Sequence, residues 1–333
     1  MQPPLEYEVG LIKQCLGLSL PDSMNRSLIA ARSLAWIASG LSSCAAEFGR
    51  RLVLNNLGIP GTLFTPLDFI GCNTESYLPI LVTYRGRNRD IEAAARKISK
   101  ASENGVFLLT GFKGTPAERA LRQGVTEPHV VVVPNHKEER RFVAILPTLA
   151  LAALGHRLAS PTQSDSDATA KTVDSLFHEA KTLSTQLVRE MTGISSWEQL
   201  TWIILGGGAT TAPALSAWQN ALMELALTAP FAFDLKDFSH GKHLGFLGHR
   251  SIGVLLLSDP TTKHLANIVE RRFSHLGPLV SVTVDRRYDA AAWQHLLIAF
   301  HAIIELSNSV RISMRSMPSF PLARVWTNWG TIR

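Results

Sequence analysis

The stretch Thr201–Ala214, TWIILGGGATTAPA, is the part of the sequence that decides the fold. It begins with a short apolar run, Thr201–Leu205, continues with three glycines and small residues, and enters a helical pattern at Pro213. A strand, a glycine turn and a helix start, in this order, present backbone N–H groups and a helix N-terminus to an anion. The sequence therefore predicts an α/β unit with a ligand-binding turn at Gly207 and Gly208.

Two side chains suited to proton transfer follow in the segment ELALTAPFAFDLKDFSH. Glu224 lies among apolar residues near the end of the predicted helix, and His240 ends the segment. A carboxylate and an imidazole brought to one crevice would form an acid/base pair. If the helix buries Glu224 against the sheet, its pKa should rise, as a general base near neutrality requires. The alternatives are an exposed glutamate and an ordinary loop histidine, and the nearby histidines lack the spacing of a metal site.

The succession of apolar strand, small-residue turn and helix recurs along the whole chain. A short strand and a turn are predicted at Gly61–Ile70. Further strands are predicted at Leu34–Ala38, Leu78–Thr83, Val106–Thr110, Val130–Val133, Thr201–Leu205, Phe231–Phe233, Ser251–Ser258 and Leu279–Val284, with helices between them. Alternating strands and helices are typical of parallel sheets covered by helices on both faces. The fold class is therefore α/β, with a doubly wound parallel sheet in each half. Because both halves follow the same pattern, we infer an internal duplication.

The domain boundaries follow from length and composition. A chain of 333 residues favours two domains at roughly 150 residues each. The polar stretch SPTQSDSDATAK, residues 160–171, is predicted to be a linker, with a helix beginning after it at Thr172. This divides the chain into a lead-in segment at 1–24, a first domain at 25–159, a second domain at 172–310 and a tail at 311–333.

Bulk properties limit the function classes. A net charge of +6 with scattered arginines does not predict a nucleic-acid partner. Three cysteines without metal spacing indicate free thiols, a reducing compartment and no metal. The longest apolar run, Phe142–Leu154, is shorter than the ~20 residues that span a bilayer, and the N-terminus lacks the apolar core of a signal peptide. We expect a cytoplasmic protein without a membrane segment or a cofactor.

Two turns in the first half could bind a ligand. Ser42 and Ser43 stand at a helix N-terminus, where they could contact a ligand or simply cap the helix. Arg85 and Arg87 flank Gly86 at the carboxyl end of a strand, where open α/β sheets bind ligands. The arginine fork suits phosphate or carboxylate. The alternative is a solvated loop in which Asp90 pairs with an arginine.

Together these segments resemble the sugar isomerase (SIS) superfamily. In particular, the sequence looks like the two-SIS isomerase half of glucosamine-6-phosphate synthase and the related phosphosugar isomerases, deaminases and deglycases. It covers about residues 25–327 and rests on the segments IASGLSSCAA, FTPLDF, ILGGGATTAPA, ELALTAPFAFDLKDFSHG and LARVWT. The resemblance implies two tandem SIS domains, a sugar phosphate as the ligand and a homodimer with a shared active site.

The resemblance also implies residue roles. Glu224 would be the enolisation base, and His240, lent by the neighbouring subunit, would open the sugar ring. Arg324 would take the place of a lysine in a tail that closes the site. The residues that would contact the substrate are Ser42, Ser43, Thr83, Arg85, Arg87, Asn88, Gly207 and Gly208.

The sequence departs from the family pattern in the phosphate loop and in the tail. The loop Ser-x-Ser-Gly-x-Thr is here Thr83-Tyr84-Arg85-Gly86-Arg87-Asn88, and Arg324 cannot deprotonate as a lysine can. No glutaminase domain is expected. Two hypotheses stay open: a phosphosugar isomerase, deaminase or deglycase, and a catalytically degenerate SIS protein that binds a sugar phosphate or another anionic ligand as a sensor or partner subunit.

Overall fold

The structure is a computed structural model that describes residues 5–73, 75–101, 105–125, 127–135, 143–160, 162–246, 251–275 and 277–312. Its strands are β1 Leu34–Ile37, β2 Gly61–Phe64, β3 Leu78–Thr83, β4 Phe107–Thr110, β5 His129–Val132, β6 Thr201–Gly206, β7 Ala229–Asp234, β8 Ile252–Ser258 and β9 Leu279–Thr283. Its helices are α1 Leu5–Leu16, α2 Asp22–Ala30, α3 Ser42–Leu57, α4 Pro66–Gly71, α5 Arg89–Ala101, α6 Pro116–Leu121, α7 Ile145–Ala159, α8 Gln163–Thr192, α9 Gly208–Glu224, α10 Leu235–Ser239, α11 Lys263–Phe273 and α12 Tyr288–Ser309.

Unit 1, which contains almost all described residues up to Val173, is built on a five-stranded parallel sheet. The strand order is β2-β1-β3-β4-β5. Every residue of β1, β3 and β4 is buried, as the apolar sequences of these strands predict for a sheet covered on both faces. Helices α4 and α6 pack on α5, which covers β3, and α4 also contacts β2. Helix α3 packs on α7 and on β1, β2 and β3, and α7 contacts β4. The predicted α/β class and parallel sheet are confirmed here.

Unit 2, from Asp174 onward, repeats the first four positions of this arrangement. Its parallel strands have the order β7-β6-β8-β9, so β6 lies second in its sheet, as β1 does in unit 1. Helix α9 packs on β6 and β7, and α12 packs along α9. The duplication inferred from the sequence pattern is therefore visible as a repeated strand order.

The expected linker at residues 160–171 is wrong in its local structure, because α8 begins at Gln163 and not at Thr172. Thr162 and Asp165 form a reciprocal cap: the Thr162 N–H donates to the Asp165 carboxylate (3.0 Å), and the Asp165 N–H donates to the Thr162 hydroxyl (3.3 Å). Such a cap starts a helix in spite of a polar sequence. The two units therefore separate within a continuous helix, between Val173 and Asp174.

Helix α12 is apolar along most of its length. In the described part of the chain it is the one helix that is long and apolar enough to cross a membrane, judged by length and composition alone. However, 83% of its most apolar window is buried inside the protein, including Trp293, Leu296 and Phe300. Such burial is that of a core helix.

Candidate functional site

The carboxyl edge of the unit 1 sheet holds one group of the predicted site residues. Strand β1 lies between β2 and β3, so the chain leaves β1 toward one side of the sheet and later returns on the other. Ligands of open α/β sheets bind at this reversal of strand order. Because β1 and β3 are paired in parallel, with Ile37 opposite Leu81, the turns that follow them meet at the same edge.

Ser42 and Ser43 are the first two residues of α3 at this edge. Leu41 occupies the cap position and makes no side-chain hydrogen bond, so neither serine acts as the predicted cap. Both serines are half-buried. Among the described residues no hydrogen bond engages their hydroxyls, which leaves both groups available to a ligand beside a helix N-terminus.

The turn after β3 is held in shape by the turn after β4. The Tyr84 carbonyl accepts hydrogen bonds from the Gly111 N–H (2.9 Å) and the Thr110 hydroxyl (3.2 Å). The Gly86 carbonyl accepts one from the Ala117 N–H (3.1 Å). These bonds fix the backbone that carries the two arginines before any ligand arrives.

Gly86 is required in this turn for two reasons. Its φ of +58° lies in the left-handed region, and a Cβ at this position would stand 2.7 Å from Cβ of Thr115. Its N–H donates to the Thr83 hydroxyl oxygen at 3.3 Å, so Thr83 closes the turn and is itself buried. The Thr83 oxygen is thus partly committed to the protein, although its own proton can still be donated.

The remaining residues of the turn differ in their availability. Arg85 is half-buried, and Arg87 and Asn88 are exposed. The side-chain oxygen of Asn88 accepts the Asp90 N–H at 2.8 Å, which makes Asn88 a cap of α5 and leaves its amide NH₂ for a ligand. Within the described residues no ion pair joins Asp90 to an arginine. The structure therefore does not show the alternative in which Asp90 pairs with an arginine of the loop.

The corresponding edge of unit 2 is occupied by the protein's own carboxylates. The Gly208 N–H donates to the Asp234 carboxylate at 3.4 Å, and the Thr210 hydroxyl donates to that of Asp259. Asp259 is buried and also accepts the N–H groups of Thr261 (2.8 Å) and Thr262 (3.0 Å). Burial alone would raise the pKa of Asp259, but these hydrogen bonds outweigh it and hold the pKa below its usual value.

An anion at Gly207 and Gly208 would therefore meet two carboxylates that already use the local donors. The structure does not favour the predicted substrate contact at this turn, and we leave both glycines out of the proposed site. The sequence contained a signal for this: Asp259 begins the run Asp-Pro-Thr-Thr directly after β8, and aspartate is common where a side chain closes a turn onto the next residues. Sequence reasoning did not use it.

Glu224 and His240 lie at opposite edges of the unit 2 sheet. Glu224 is the last residue of α9, which starts at the carboxyl edge and runs about 25 Å back along the sheet. Strand β7 then crosses the sheet over about 20 Å before α10 ends at His240. One chain therefore does not bring this pair into a single crevice within unit 2. An acid/base pair in which a neighbouring subunit lends His240 stays a prediction.

Glu224 has the environment expected of a base. It is half-buried, and burial raises its pKa to about 7. Within the described residues no cation or hydrogen-bond donor contacts its carboxylate. The raised pKa anticipated from the apolar sequence is therefore present, and its cause is loss of hydration.

His240 is exposed just after α10, and its backbone N–H closes the helix on the Lys236 carbonyl at 3.0 Å. His243 is turned away, with Nδ1 3.1 Å from the Phe238 carbonyl. The part of the chain that the structure describes holds no cluster of ligands suited to a metal ion. Arg324 lies outside the described residues.

Comparison with known proteins gives the fold. Neither a protein-family model nor a curated protein matches the sequence. Among solved structures, the C-terminal domain of glucosamine-fructose-6-phosphate aminotransferase from Francisella tularensis superposes with a TM-score of 0.71 at 12% identity, over 93% of this chain and 95% of that one. The present chain therefore has the same fold as that C-terminal domain.

Two further solved structures have the same fold. Tagatose-6-phosphate ketose/aldose isomerase from Escherichia coli has a TM-score of 0.70 at 13% identity, with 95% of this chain and 96% of that chain covered. Glucosamine-6-phosphate deaminase from Thermotoga maritima has a TM-score of 0.66 at 14% identity, over 94% and 98%. The fold expected from the sequence, an α/β fold with two parallel sheets flanked by helices, is therefore confirmed.

Proposed function

We propose that this protein is a phosphosugar-processing enzyme with two tandem SIS domains, acting as an aldose–ketose isomerase, a deaminase or a deglycase. The observation that carries the proposal is the half-buried Glu224 carboxylate, whose pKa is raised to about 7. A group with this pKa is populated in both protonation states near neutral pH. It can therefore accept a proton from one carbon and return it to the next.

The proposal assigns a role to each of the predicted residues. At the edge of unit 1, the hydroxyls of Ser42 and Ser43, the guanidinium groups of Arg85 and Arg87, and the amide of Asn88 bind the phosphate. Thr83 shapes the turn and donates its hydroxyl proton. In unit 2, Glu224 moves the proton between C1 and C2 of the opened sugar. A positioned base and hydrogen bonds are sufficient to stabilise an enediolate next to a carbonyl, so the proposal includes no metal or cofactor.

Ring opening is assigned to His240 of a second copy of the chain. The two edges of unit 2 that carry Glu224 and His240 are about 20 Å apart along β7, so a site that uses both needs a second chain. The proposal therefore includes a homodimer with a shared active site. Arg324 stays a proposed tail contact to the substrate.

The second candidate is a SIS protein that binds an anionic sugar without chemistry. The basic turn after β3 favours it, because Arg85 stands where the resemblance expects a serine, and a guanidinium strengthens binding without supplying a base. The free, half-buried Glu224 favours the enzyme, because an ionisable group that is buried without a partner costs stability and is seldom retained without a role.

Exchange of the sugar C2 proton with deuterated water separates the two candidates without knowledge of the product. Wild-type protein should exchange this proton in at least one of a panel of hexose and amino-hexose 6-phosphates. Glu224→Gln keeps the shape but removes the base and should slow exchange by ~10²–10⁴-fold while the ligand still binds. Glu198→Gln, at an exposed position of unit 2, is the matched control and should exchange normally. Binding without exchange by wild type across the panel would leave the binding protein as the function.

A further inference from the structure

A cavity of about 530 Å³ lies at the amino edge of the unit 1 sheet, opposite the edge that carries the serine and arginine turns. One wall is the end of α2 with the connection into β1, and the other is the connection from α4 into β3. The volume is typical of small-molecule sites, which measure roughly 300–1,000 Å³. The length of β1, about 13 Å, separates the cavity from the proposed phosphate edge. The two are therefore distinct sites.

Hydrogen bonds and a ring contact fix the walls of this cavity. The Ser33 hydroxyl donates to the Ser76 carbonyl at 3.2 Å, and the Leu78 N–H donates to the Ser33 carbonyl at 3.0 Å. Tyr77 is half-buried, and its ring packs edge-on against the ring of Phe64 with 5.8 Å between the centroids. The walls and the aromatic ring are therefore in position before any ligand arrives, which lowers the entropic cost of binding.

Each wall carries one charged side chain, and the two charges have opposite signs. Arg32 lies on the first wall and Glu75 on the second, and both residues are exposed. Within the described residues no ion pair and no side-chain hydrogen bond engages either group. If the two side chains paired with each other, they would need no ligand. Because they do not, the cavity offers a cation on one side and an anion on the other.

We propose that the cavity binds a free α-amino acid with an apolar side chain. The Arg32 guanidinium binds the carboxylate through two parallel hydrogen bonds, for which its planar fork is suited. The Glu75 carboxylate binds the ammonium group. Ala30, Tyr77 and Leu78 supply the apolar part of the lining and contact the side chain of the ligand.

The charge of the ligand follows from the two walls. A ligand with one charge would leave either Arg32 or Glu75 without a counterion, whereas a zwitterion pairs with both. The carboxylate and ammonium groups of an α-amino acid are joined through one carbon, so a single small molecule supplies both charges together with an apolar group. The inference does not depend on the proposed function, because no group at the carboxyl edge of the sheet takes part in it.

Three probes that differ only in their charged groups test the site. L-phenylalanine carries both groups, 3-phenylpropanoate lacks the ammonium and 2-phenylethylamine lacks the carboxylate. By titration calorimetry at neutral pH and fixed ionic strength, wild type should bind L-phenylalanine at least about fivefold more tightly than either analogue. Arg32→Gln should weaken binding of L-phenylalanine and 3-phenylpropanoate by about fivefold and leave 2-phenylethylamine unchanged. Glu75→Gln should weaken binding of L-phenylalanine and 2-phenylethylamine and leave 3-phenylpropanoate unchanged.

Arg26→Gln, at an exposed position of α2 outside the cavity lining, is the matched control and should bind all three probes as wild type does. If wild type binds neither L-phenylalanine nor L-leucine at millimolar concentration, the proposal is overturned. Equal affinity of wild type for the three probes would also overturn it. The same holds if Arg32→Gln or Glu75→Gln weakens all three probes equally, because the side chain would then support the cavity and not pair with a charge of the ligand.

Discussion

At the scale of single residues, the most informative quantity is the free energy that the protein loses by burying the ionised carboxylate of Glu224. A carboxyl group whose pKa is about 7 when folded and about 4.5 when unfolded binds more protons in the folded state between these pH values. Stability then falls as pH rises through that window. Replacing the ionisable group by the neutral amide in Glu224→Gln should therefore raise the free energy of unfolding at pH 8 by up to about 3 kcal/mol.

Urea denaturation of wild type and Glu224→Gln between pH 4 and pH 8 measures this effect. The two proteins should be similar near pH 4, where Glu224 is protonated in both states, and the variant should become progressively more stable above pH 5. The exposed control Glu198→Gln should change stability by less than about 0.5 kcal/mol throughout. A variant that is less stable than wild type at pH 8 would show that Glu224 has a stabilising partner and is not poised as a base.

At the scale of elements, the turns after β3 and β8 hold equivalent places in the repeated strand order and opposite charges. The first carries the half-buried Arg85 and the exposed Arg87, and the second buries Asp259 beside the start of α9. Asp259 ties α9 to the turn through Thr210 and closes the turn through Thr261 and Thr262. Asp259→Ala should therefore lower the free energy of unfolding by about 2–4 kcal/mol, since it leaves several buried donors without an acceptor.

Thermal and urea unfolding of Asp259→Ala measure the loss. Asp237→Ala is the control, because Asp237 pairs with Lys242 at the surface at 3.1 Å and should contribute less than about 1 kcal/mol. Equal stability of wild type and Asp259→Ala would mean that the carboxylate does not hold the turn. Gly207 and Gly208 would then return as candidates for an anion contact.

The elements themselves were predictable because their patterns are local. Apolar runs followed by small-residue turns gave the position of every described strand within a few residues and the parallel class of both sheets. The start of α8 was missed because the reciprocal cap between Thr162 and Asp165 lies inside a stretch whose composition is typical of linkers.

The site was predictable in part. Burial of Glu224 and its raised pKa follow from apolar neighbours on a helix, which are visible in the sequence. Sequence spacing does not show which edge of a sheet a residue reaches, so the placement of Glu224 and His240 at opposite edges of the unit 2 sheet required the structure.

At the scale of the whole molecule, the proposed site needs a second copy of the chain. The prediction is tested by mixing two inactive variants, Glu224→Gln and His240→Ala, under conditions that allow subunits to exchange. A dimer with one chain of each kind contains one intact site, with Glu224 from one chain and His240 from the other. Statistical mixing should therefore restore roughly a quarter of wild-type turnover of a cyclic sugar phosphate.

Light scattering and the unmixed variants complete this test. The wild-type protein should be at least a dimer at micromolar concentration, and each variant alone should remain inactive after the same treatment. Full activity of His240→Ala by itself would remove His240 from the site. A monomeric wild-type protein with activity would contradict the shared site altogether.

The central claim is that Glu224 is the base that moves the sugar proton, and the pH dependence of C2-proton exchange tests it most directly. Exchange by wild type at saturating sugar phosphate should increase with pH through an apparent pKa of about 7 as the carboxylate ionises. Glu224→Gln should exchange the C2 proton far more slowly than wild type, and its exchange rate should not increase with pH in this range. An increase centred near the ordinary glutamate pKa, or an unchanged profile in Glu224→Gln, would contradict the assignment of Glu224 as the base.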